Sequence, residues 1–309
     1  MIRIQPDFYE KFACKANHCR NSCCKGWEID IDEDTAEIYE HIEGSLGEEI
    51  RASMMFSEDG SRSFRLRGDE SCPFLQEDGL CRIICRTGSD ELLCDICALH
   101  PRFFQEIGAF DLAGLGLSCE RVSELLVEET SPLSFTCIDE EEECVSVSFC
   151  GLLELLKVDF VDDFSFHPVT ERGHLQNILD SYEKLEAIDE NWTDLLKKIK
   201  TDFEKLLENL EKEDSGRGKF PDPVYDRIYQ YMIYRQLEQL FVYGWKTVSA
   251  FATDGLTLIW LCQLAGWSLE EAVQRWSSEV EYSTENVEIL LAEKAQTESE
   301  DRVENLATD

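Results

Sequence analysis

The chain has 309 residues, 43% of them hydrophobic, and a formal net charge of −36. This length and composition allow one large core or two ordinary ones, which excludes the fibrous and the wholly disordered classes of protein. The negative charge disfavours nucleic acids and anionic membranes as partners, because both are bound through Lys and Arg, and it suits a lysine-bearing protein; solubility alone is the simpler explanation and is favoured.

The predicted elements of the first half are short. Residues 27–32 alternate apolar and acidic side chains and predict a strand or a turn, and residues 34–42 predict a helix. A helix is expected at 121–128. Residues 144–149 alternate apolar and polar side chains and predict a strand.

The second half has helical periodicity from about residue 174 onward. Apolar residues recur every three or four positions and predict helices near 175–185, 192–213, 223–243, 247–265, 268–276 and 284–295. Ser268 and Glu271 have the spacing of a capping box. The Ser-Gly-Arg-Gly sequence at 215–218 predicts a break.

The 14 cysteines divide the chain, because ten lie in residues 1–120 and only Cys262 lies beyond residue 150. We predict a mainly α fold, in which an irregular cysteine-rich metal-binding module with short strands precedes a helical C-terminal region. The predicted divisions are a metal-cluster module at 1–128, a mixed connecting region at 129–173, a helical region at 174–295 and an acidic tail at 296–309.

The compartment is predicted from the N-terminus and the apolar stretches. Residues 1–15 are polar and predict no signal peptide. The longest apolar stretches, 152–158 and 256–265, are shorter than the roughly 20 residues that span a bilayer. A cytoplasmic protein is therefore expected. Its cysteines would stay reduced, which favours metal or redox chemistry over a disulfide framework.

Four groups of cysteines could supply a metal site. They are Cys14-x4-Cys19-x3-Cys23-Cys24, Cys72 with Cys81, Cys94-x2-Cys97, and Cys119. Thiolates ligate iron–sulfur clusters and zinc, so we favour metal binding over inert buried thiols. Histidine is scarce, which argues against mixed Cys/His zinc sites. An iron–sulfur cluster, of the four-iron type, is the favoured occupant, with zinc as the alternative metal. His18 and His100 lack ligand-like pairing and are interpreted as surface or hydrogen-bonded residues.

Two motifs of S-adenosylmethionine enzymes are incomplete in this sequence. Cys19-x3-Cys23 begins the Cys-x3-Cys-x2-Cys motif of radical enzymes, but Gly26 stands at its third position. Gly114-x-Gly116 precedes Cys119 rather than a phosphate-binding helix. Neither a standard radical site nor a Rossmann-type methyltransferase loop is predicted.

The cysteine groups and their neighbours resemble the flagellin lysine-N-methylase family of bacterial cysteine-cluster proteins. The similar blocks are Phe12 to Trp27 with residues 29–32, Cys72-Pro73-Phe74-Leu75 with Gly79-Leu80-Cys81, Cys97-x3-Pro101-Arg102, and Leu117-Ser118-Cys119. In the last block Glu120-Arg121 follow where the family usually has Pro-Glu. Residues 278–286 are similar to a short motif near the C-terminus of the family.

This resemblance implies S-adenosylmethionine-dependent N-methylation of lysine side chains on flagellin, the expected partner, with an iron–sulfur cluster as cofactor. The implied metal ligands are the eight matched cysteines, Cys14, Cys19, Cys23, Cys24, Cys72, Cys81, Cys97 and Cys119. Two clusters, or one cluster with supporting sulfurs, both stay open. Cys85 and Cys94 rank second. The remaining four are interpreted as core or surface thiols: Cys137, Cys144, Cys150 and Cys262.

Two alternatives to the enzyme stay open: an iron–sulfur or redox protein without methyltransferase activity, and a structural zinc module. A methyltransferase needs a group that takes the proton of the lysine amine, which is charged at neutral pH. Candidates are Glu28, Asp30, Asp32, Tyr225, Asp226 and Tyr229, although a surface or helix-face role is favoured for each. Trp27 is expected to shield a cluster, and Arg102 to pair with a carboxylate of S-adenosylmethionine or of the protein.

Overall fold

The structure is a computed structural model that describes residues 1–309 except 59, 162, 207, 209–221 and 308–309; at 190 and 298–307 it describes the backbone alone. The chain forms two compact units. The sheet–helix unit comprises Met1–Phe12, Phe104–Ser118 and Val122–Asp309. The cysteine unit comprises Ala13–Phe103 and Cys119–Arg121. The predicted module at 1–128 thus contributes residues to both units.

The strands form two sheets. They are β1 (Ile2–Pro6), β2 (Met54–Phe56), β3 (Arg62–Phe64), β4 (Arg102–Ile107), β5 (Phe110–Leu115), β6 (Ser134–Ile138) and β7 (Cys144–Ser148). A mixed five-stranded sheet has the order β4-β5-β1-β6-β7. At its centre β1 pairs in parallel with β5 and antiparallel with β6. Strands β2 and β3 form a separate antiparallel pair in the cysteine unit.

The predicted fold class is therefore wrong: the chain is mixed α and β rather than mainly α. The missed feature is the five-stranded sheet, whose central strand places Ile4 opposite Leu112 on one side and Cys137 on the other. These partners are more than a hundred residues away, so no local periodicity reports the pairing. The buried side chains of β1 are consecutive (Ile4 to Pro6) and do not alternate. The metal-binding module in that prediction is also not supported, as described for the site below.

The helices occupy both units. They are α1 (Glu33–His41), α2 (Gly44–Ser53), α3 (Arg82–Thr87), α4 (Asp95–Leu99), α5 (Glu120–Glu128), α6 (Phe149–Leu155), α7 (Arg172–Glu183), α8 (Glu190–Thr201), α9 (Pro223–Arg235), α10 (Leu237–Leu264), α11 (Leu269–Trp276) and α12 (Thr284–Ala307). Short 3-10 turns cover Tyr9–Lys11 and Ala16–His18, and a π-helical turn covers Ser277–Glu281.

Several sequence predictions are confirmed at the level of single elements. Helix α1 begins after Asp32, whose carboxylate accepts the Thr35 N–H at 2.8 Å. Helix α5 and strand β7 lie within one or two residues of the predicted ranges. Both hydrogen bonds of the predicted capping box at Ser268 and Glu271 are present. The predicted break at 215–218 lies outside the described residues.

The long helix α10 forms the centre of the helical packing. The predicted boundary near residue 243 differs from the structure, where α9 ends at Arg235 and α10 is kinked at Gly244, which has a φ of 81°. At Gly255 a Cβ atom would lie 2.7 Å from both Met232 Cε and Trp276 Cζ2, so only glycine allows this close packing.

Within the described residues, α10 is the one helix long and apolar enough to meet the criteria for a membrane span. Of its qualifying window, 67% is buried inside the protein. Most of this window therefore packs against other parts of the protein, although Phe241 and Val242 near the start of α10 are exposed.

Two tyrosines and an arginine of α9 join the helices to the sheet. The Tyr231 hydroxyl donates to Leu115 O at 2.7 Å and accepts the Leu115 N–H at 2.8 Å, and the Tyr234 hydroxyl donates to Ala113 O at 2.8 Å. The buried guanidinium of Arg227 pairs with Asp7, with Nη1 3.0 Å from Oδ2. These contacts satisfy buried polar groups that the apolar core would otherwise leave unpaired.

The cysteine unit is built from short elements around a small aromatic core. Phe64 packs between Tyr39 and Phe74, with ring centroids 5.9 and 5.1 Å away. The Tyr39 hydroxyl donates to Leu92 O at 2.7 Å, which ties α1 to the loop before Cys94. Cysteine sulfurs occupy part of the remaining core volume.

Candidate functional site

All ten cysteines of residues 1–120 lie in the cysteine unit, and so do all eight predicted metal ligands. None of the fourteen cysteines, all of them within the described residues, takes part in a disulfide. Because the unit also includes the separate segment Cys119–Arg121, the fold brings Cys119 to thiols about a hundred residues before it. Nine of the ten cysteines form two groups within this unit. The tenth, Cys85, is exposed and accepts a hydrogen bond from Gln76 Nε2 at 3.3 Å.

The inner group consists of Cys24, Cys72, Cys81, Cys94 and Cys97. Cys72 and Cys94 belong to the buried core, with 7% and 1% exposure, and the other three pack against it. Backbone bonds hold the loops in place: Cys72 N–H donates to Cys24 O at 2.9 Å, and Leu75 bridges to Cys81. Burial raises the pKa of the Cys72 thiol to about 11, with Cys24 and Cys81 acting in the same direction.

The outer group consists of Cys14, Cys19, Cys23 and Cys119, none of which is fully buried. A negative charge on Cys14 or on Cys119 raises the pKa of both Cys19 and Cys23. The four sulfurs are therefore close enough to interact electrostatically. Burial, followed by Glu120 and Cys119, raises the pKa of Cys19 to about 11. Cys23 and Cys24 are adjacent in sequence, so this pair joins the outer group to the inner group.

Glu120 holds the outer group together from α5. Its buried carboxylate accepts a hydrogen bond from Lys15 Nζ at 2.6 Å and another from the Arg20 backbone N–H at 2.8 Å. Burial acts to raise the pKa of Glu120, but these two bonds lower it below its ordinary value. Glu120 thus fixes the loop that bears Cys14 and Cys19.

Two close thiol pairs occur, one at the junction and one in the inner group. The sulfurs of Cys94 and Cys97 are 3.7 Å apart. The pKa of Cys94 is lowered because the Cys97 thiol stabilises its thiolate through a hydrogen bond. In the same way Cys23 lowers the pKa of Cys24, which Ser22 also stabilises. In each pair the hydrogen bond between the two thiols thus favours the thiolate of one sulfur over that of its partner.

The thiols suit a thiophilic metal in kind, but they are not assembled around one point. Among the described residues, no group of three or more His, Cys, Asp or Glu side chains is arranged to hold a metal ion. The metal-binding module of the predicted fold class is therefore not supported by this structure. The physical reason is that clustered thiolates repel one another and resist burial, so without a cation they stay apart or protonated.

His100 is a residue that the sequence analysis discounted. Its side chain is half-buried, its Nε2 has no hydrogen-bond partner among the described residues, and burial lowers its pKa. The interpretation as a surface or hydrogen-bonded histidine does not describe this nitrogen. A neutral imidazole nitrogen can ligate a metal, and His100 lies three residues after Cys97.

The candidate proton acceptors are divided between the two units. Asp32 is bound as the α1 cap and accepts the Asp95 N–H at 2.9 Å; these bonds lower its pKa although burial opposes them. Glu28 and Asp30 are exposed.

The other three candidates lie in the sheet–helix unit. The Tyr225 hydroxyl donates a hydrogen bond to Gln263, and burial raises the pKa of Tyr229. The Asp226 carboxylate accepts the Phe166 N–H at 2.7 Å. Arg102 and Trp27 are half-buried.

The C-terminal motif at 278–286 is a structural contact of the sheet–helix unit. Asn286 Nδ2 donates to Glu279 O at 2.9 Å and to Glu186 O at 3.0 Å. The buried Glu279 carboxylate accepts the Ile188 N–H at 2.8 Å. Glu281 forms an ion pair with the half-buried Arg235 at 2.8 Å. The motif therefore holds the loop after α7 against the π-helical turn.

Curated proteins similar to this chain come from Salmonella. Two proteins named Lysine-N-methylase, from Salmonella typhimurium and Salmonella choleraesuis, are each 25% identical over 137 residues, which is 43% of this chain and 34% of theirs. Flagellar biosynthetic protein FliU from Salmonella muenchen is 24% identical over 135 residues, which is 42% of this chain and 79% of that protein.

These matches confirm the resemblance to the flagellin lysine-N-methylases. The match spans about a third of the length of the two lysine-N-methylases. No family model matches the chain, and no solved structure matches it.

Proposed function

We propose that this chain takes part in S-adenosylmethionine-dependent N-methylation of lysine side chains on flagellin. The observation that carries the proposal is the similarity to two proteins named Lysine-N-methylase and to a flagellar biosynthetic protein. The net charge of −36 is consistent with a lysine-bearing protein as substrate. We place the reaction in the cytoplasm.

The proposed reaction is a transfer of a methyl group from sulfur to nitrogen. The lysine amine must first lose its proton, because the ammonium form has no lone pair. The lone pair then forms the new N–C bond while the C–S bond of the sulfonium breaks, which leaves S-adenosylhomocysteine. Among the candidate acceptors, exposed Glu28 and Asp30 lie in the cysteine unit and remain available to take the proton.

We further propose that the cysteine unit binds an iron–sulfur cluster. Nine of its ten thiols form two neighbouring groups of suitable donors, and one sulfur in each close pair has a lowered pKa. A metal would supply the positive charge that the crowded thiols lack, and binding would require the sulfurs to rearrange around it. Cluster binding is therefore expected to change the loops of this unit.

The test is methylation of purified flagellin by anaerobically prepared, iron- and sulfide-loaded protein with S-adenosylmethionine. We expect flagellin to gain mass in methyl increments on lysine, and flagellin with chemically blocked lysines to gain none. Loaded protein that leaves unblocked flagellin unchanged would refute the enzyme proposal. The same preparation should be brown and contain acid-labile sulfide; a colourless protein with stoichiometric zinc would contradict the cluster.

A zinc-binding protein without methyltransferase activity is the second candidate, and one distance favours it. Zinc–thiolate bonds of about 2.3 Å in a tetrahedron place two sulfurs roughly 3.8 Å apart. The Cys94 and Cys97 sulfurs are 3.7 Å apart. Metal analysis of protein purified from cells grown with both iron and zinc separates the two candidates.

A further inference from the structure

An open cavity of about 640 Å³ lies within the cysteine unit. Its volume falls in the range of sites that hold small-molecule ligands. The walls include the outer-group residue Cys19 and three cationic residues, Lys25, Arg67 and Arg82. Two carboxylates, Asp69 and Glu77, are also present. A concentration of cations is notable in a chain that has 29 Lys and Arg against 65 Asp and Glu.

Two guanidinium groups of the cavity are held side by side. Arg67 Nη2 and Arg82 Nη2 both donate to the same acceptor, Pro73 O, and each bond is 2.7 Å long. Arg82 also stacks over the Phe74 ring, with its guanidinium carbon 5.6 Å from the centroid. These contacts restrict both side chains before any ligand arrives, which reduces the entropic cost of binding.

The charges of the two arginines are unequally compensated. Arg82 Nε lies 3.7 Å from a Glu49 carboxylate oxygen. Among the described residues, no carboxylate lies within ion-pairing distance of Arg67. The remaining cation, Lys25, lies 3.4 Å from Asp69, and Asp69 also accepts from the Ser71 hydroxyl at 2.6 Å. Arg67 therefore contributes an uncompensated positive charge to the cavity wall.

We infer that this cavity binds the α-amino carboxylate headgroup of a small molecule, with Arg67 as the principal carboxylate partner. A guanidinium recognises a carboxylate through paired N–H donors, and Glu77 offers an acceptor for the ammonium group. The inference rests on the proposed function, which makes S-adenosylmethionine the ligand. In this position the ligand would lie beside Cys19 of the outer group.

The test is calorimetric titration of the whole, metal-loaded protein with S-adenosylhomocysteine, which has the headgroup but no transferable methyl. We expect Arg67→Ala to weaken binding at least tenfold and Arg67→Lys to restore part of it. Arg65→Ala is the matched control, because Arg65 is an exposed arginine of the same segment outside the cavity wall; its binding should stay within twofold of the wild type. Lys25→Ala is a second cavity variant if Arg67→Ala fails to fold.

Two ligand controls identify what is recognised. Methylthioadenosine lacks the amino-acid headgroup and should bind at least tenfold more weakly than S-adenosylhomocysteine. Inorganic phosphate should not compete; effective competition would show a general anion site and overturn the headgroup assignment. Absence of S-adenosylhomocysteine binding also overturns it, and so do equal affinities in the Arg67→Ala and Arg65→Ala proteins.

Failure of this inference differs from failure of the proposed function. If the wild-type protein methylates flagellin and its Arg67→Ala variant binds S-adenosylhomocysteine normally, the ligand site assigned to the cavity is refuted and the enzyme proposal stands. If binding depends on Arg67 and on the headgroup but flagellin stays unmodified, the ligand site in the cavity is supported and the enzyme proposal is refuted.

Discussion

The two units of this protein are stabilised by different means. The sheet–helix unit has a large apolar core, in which Trp276 and Phe251 pack with ring centroids 5.9 Å apart. The cysteine unit has short helices, a two-stranded sheet and sulfur atoms in places that aliphatic side chains would otherwise fill. The first unit is thus stabilised mainly by apolar burial, whereas the second has a smaller apolar core, so the metal proposed above would contribute more to its stability.

The largest expected effect is on metal content. Cys72→Ala removes a buried sulfur of the inner group, and we expect near-complete loss of bound metal, measured by elemental analysis after anaerobic purification. Cys262→Ala is the control, because burial in the sheet–helix unit raises the pKa of that thiol to about 12 and keeps it protonated. Equal metal in the two variants would refute the role of the inner group.

Trp276→Ala should have the largest effect on the sheet–helix unit. Trp276 is fully buried and its Nε1 donates to the Tyr182 hydroxyl at 3.1 Å. We expect a loss of about 3–5 kcal/mol in the free energy of unfolding, measured by denaturant titration of helical circular dichroism. Metal content should be unchanged. A metal loss as large as that of Cys72→Ala would contradict the separate stabilisation of the two units.

Glu120→Gln should weaken the cysteine unit and change its response to acid. The folded pKa of Glu120 lies below the unfolded value near 4.5, so its stabilisation is present above that pH and is lost as the pH falls through the folded pKa. We expect a loss of about 1.5–3 kcal/mol at neutral pH, because hydrogen bonds to a charged group are removed. The acid-induced decrease should become smaller in the variant.

The measurement for this variant is unfolding as a function of pH, from neutral to well below the ordinary glutamate pKa. Glu91→Gln is the control, since Glu91 is an exposed glutamate of the same unit. A Glu120→Gln protein that keeps the full acid sensitivity of the wild type would show that other carboxylates are responsible.

The smallest expected effect concerns the cap of α11. Ser268→Ala removes the hydroxyl that accepts the Glu271 N–H, and we expect a loss of about 1 kcal/mol in the unfolding free energy. Thr201→Ala provides the comparison, because its exposed hydroxyl donates to Lys197 O within α8 and caps no N–H. If the two substitutions cost the same, the capping box has no measurable role.

How far prediction from sequence reaches differs between the two units. Helices with strong periodicity, such as α7 and α11, were predictable. A helical turn has 3.6 residues, so the apolar residues of the buried face recur every three or four positions in the local sequence. The sheet was not, because Ile4 meets Leu112 and Cys137 only after the chain has folded. For the site, the clustering of cysteines in residues 1–120 was visible, whereas their division into an inner and an outer group was not.

The sequence by itself determined which side chains could bind a metal, the negative net charge, the helix-capping residues and the resemblance to the flagellin lysine-N-methylases. These are properties of residues that are close together or of the chain as a whole. The tertiary structure decided that Cys119 joins Cys14, Cys19 and Cys23 through Glu120, and that Arg67 and Arg82 share the Pro73 carbonyl. The physical reason is that such contacts depend on how distant loops are packed, which no local pattern of residues records.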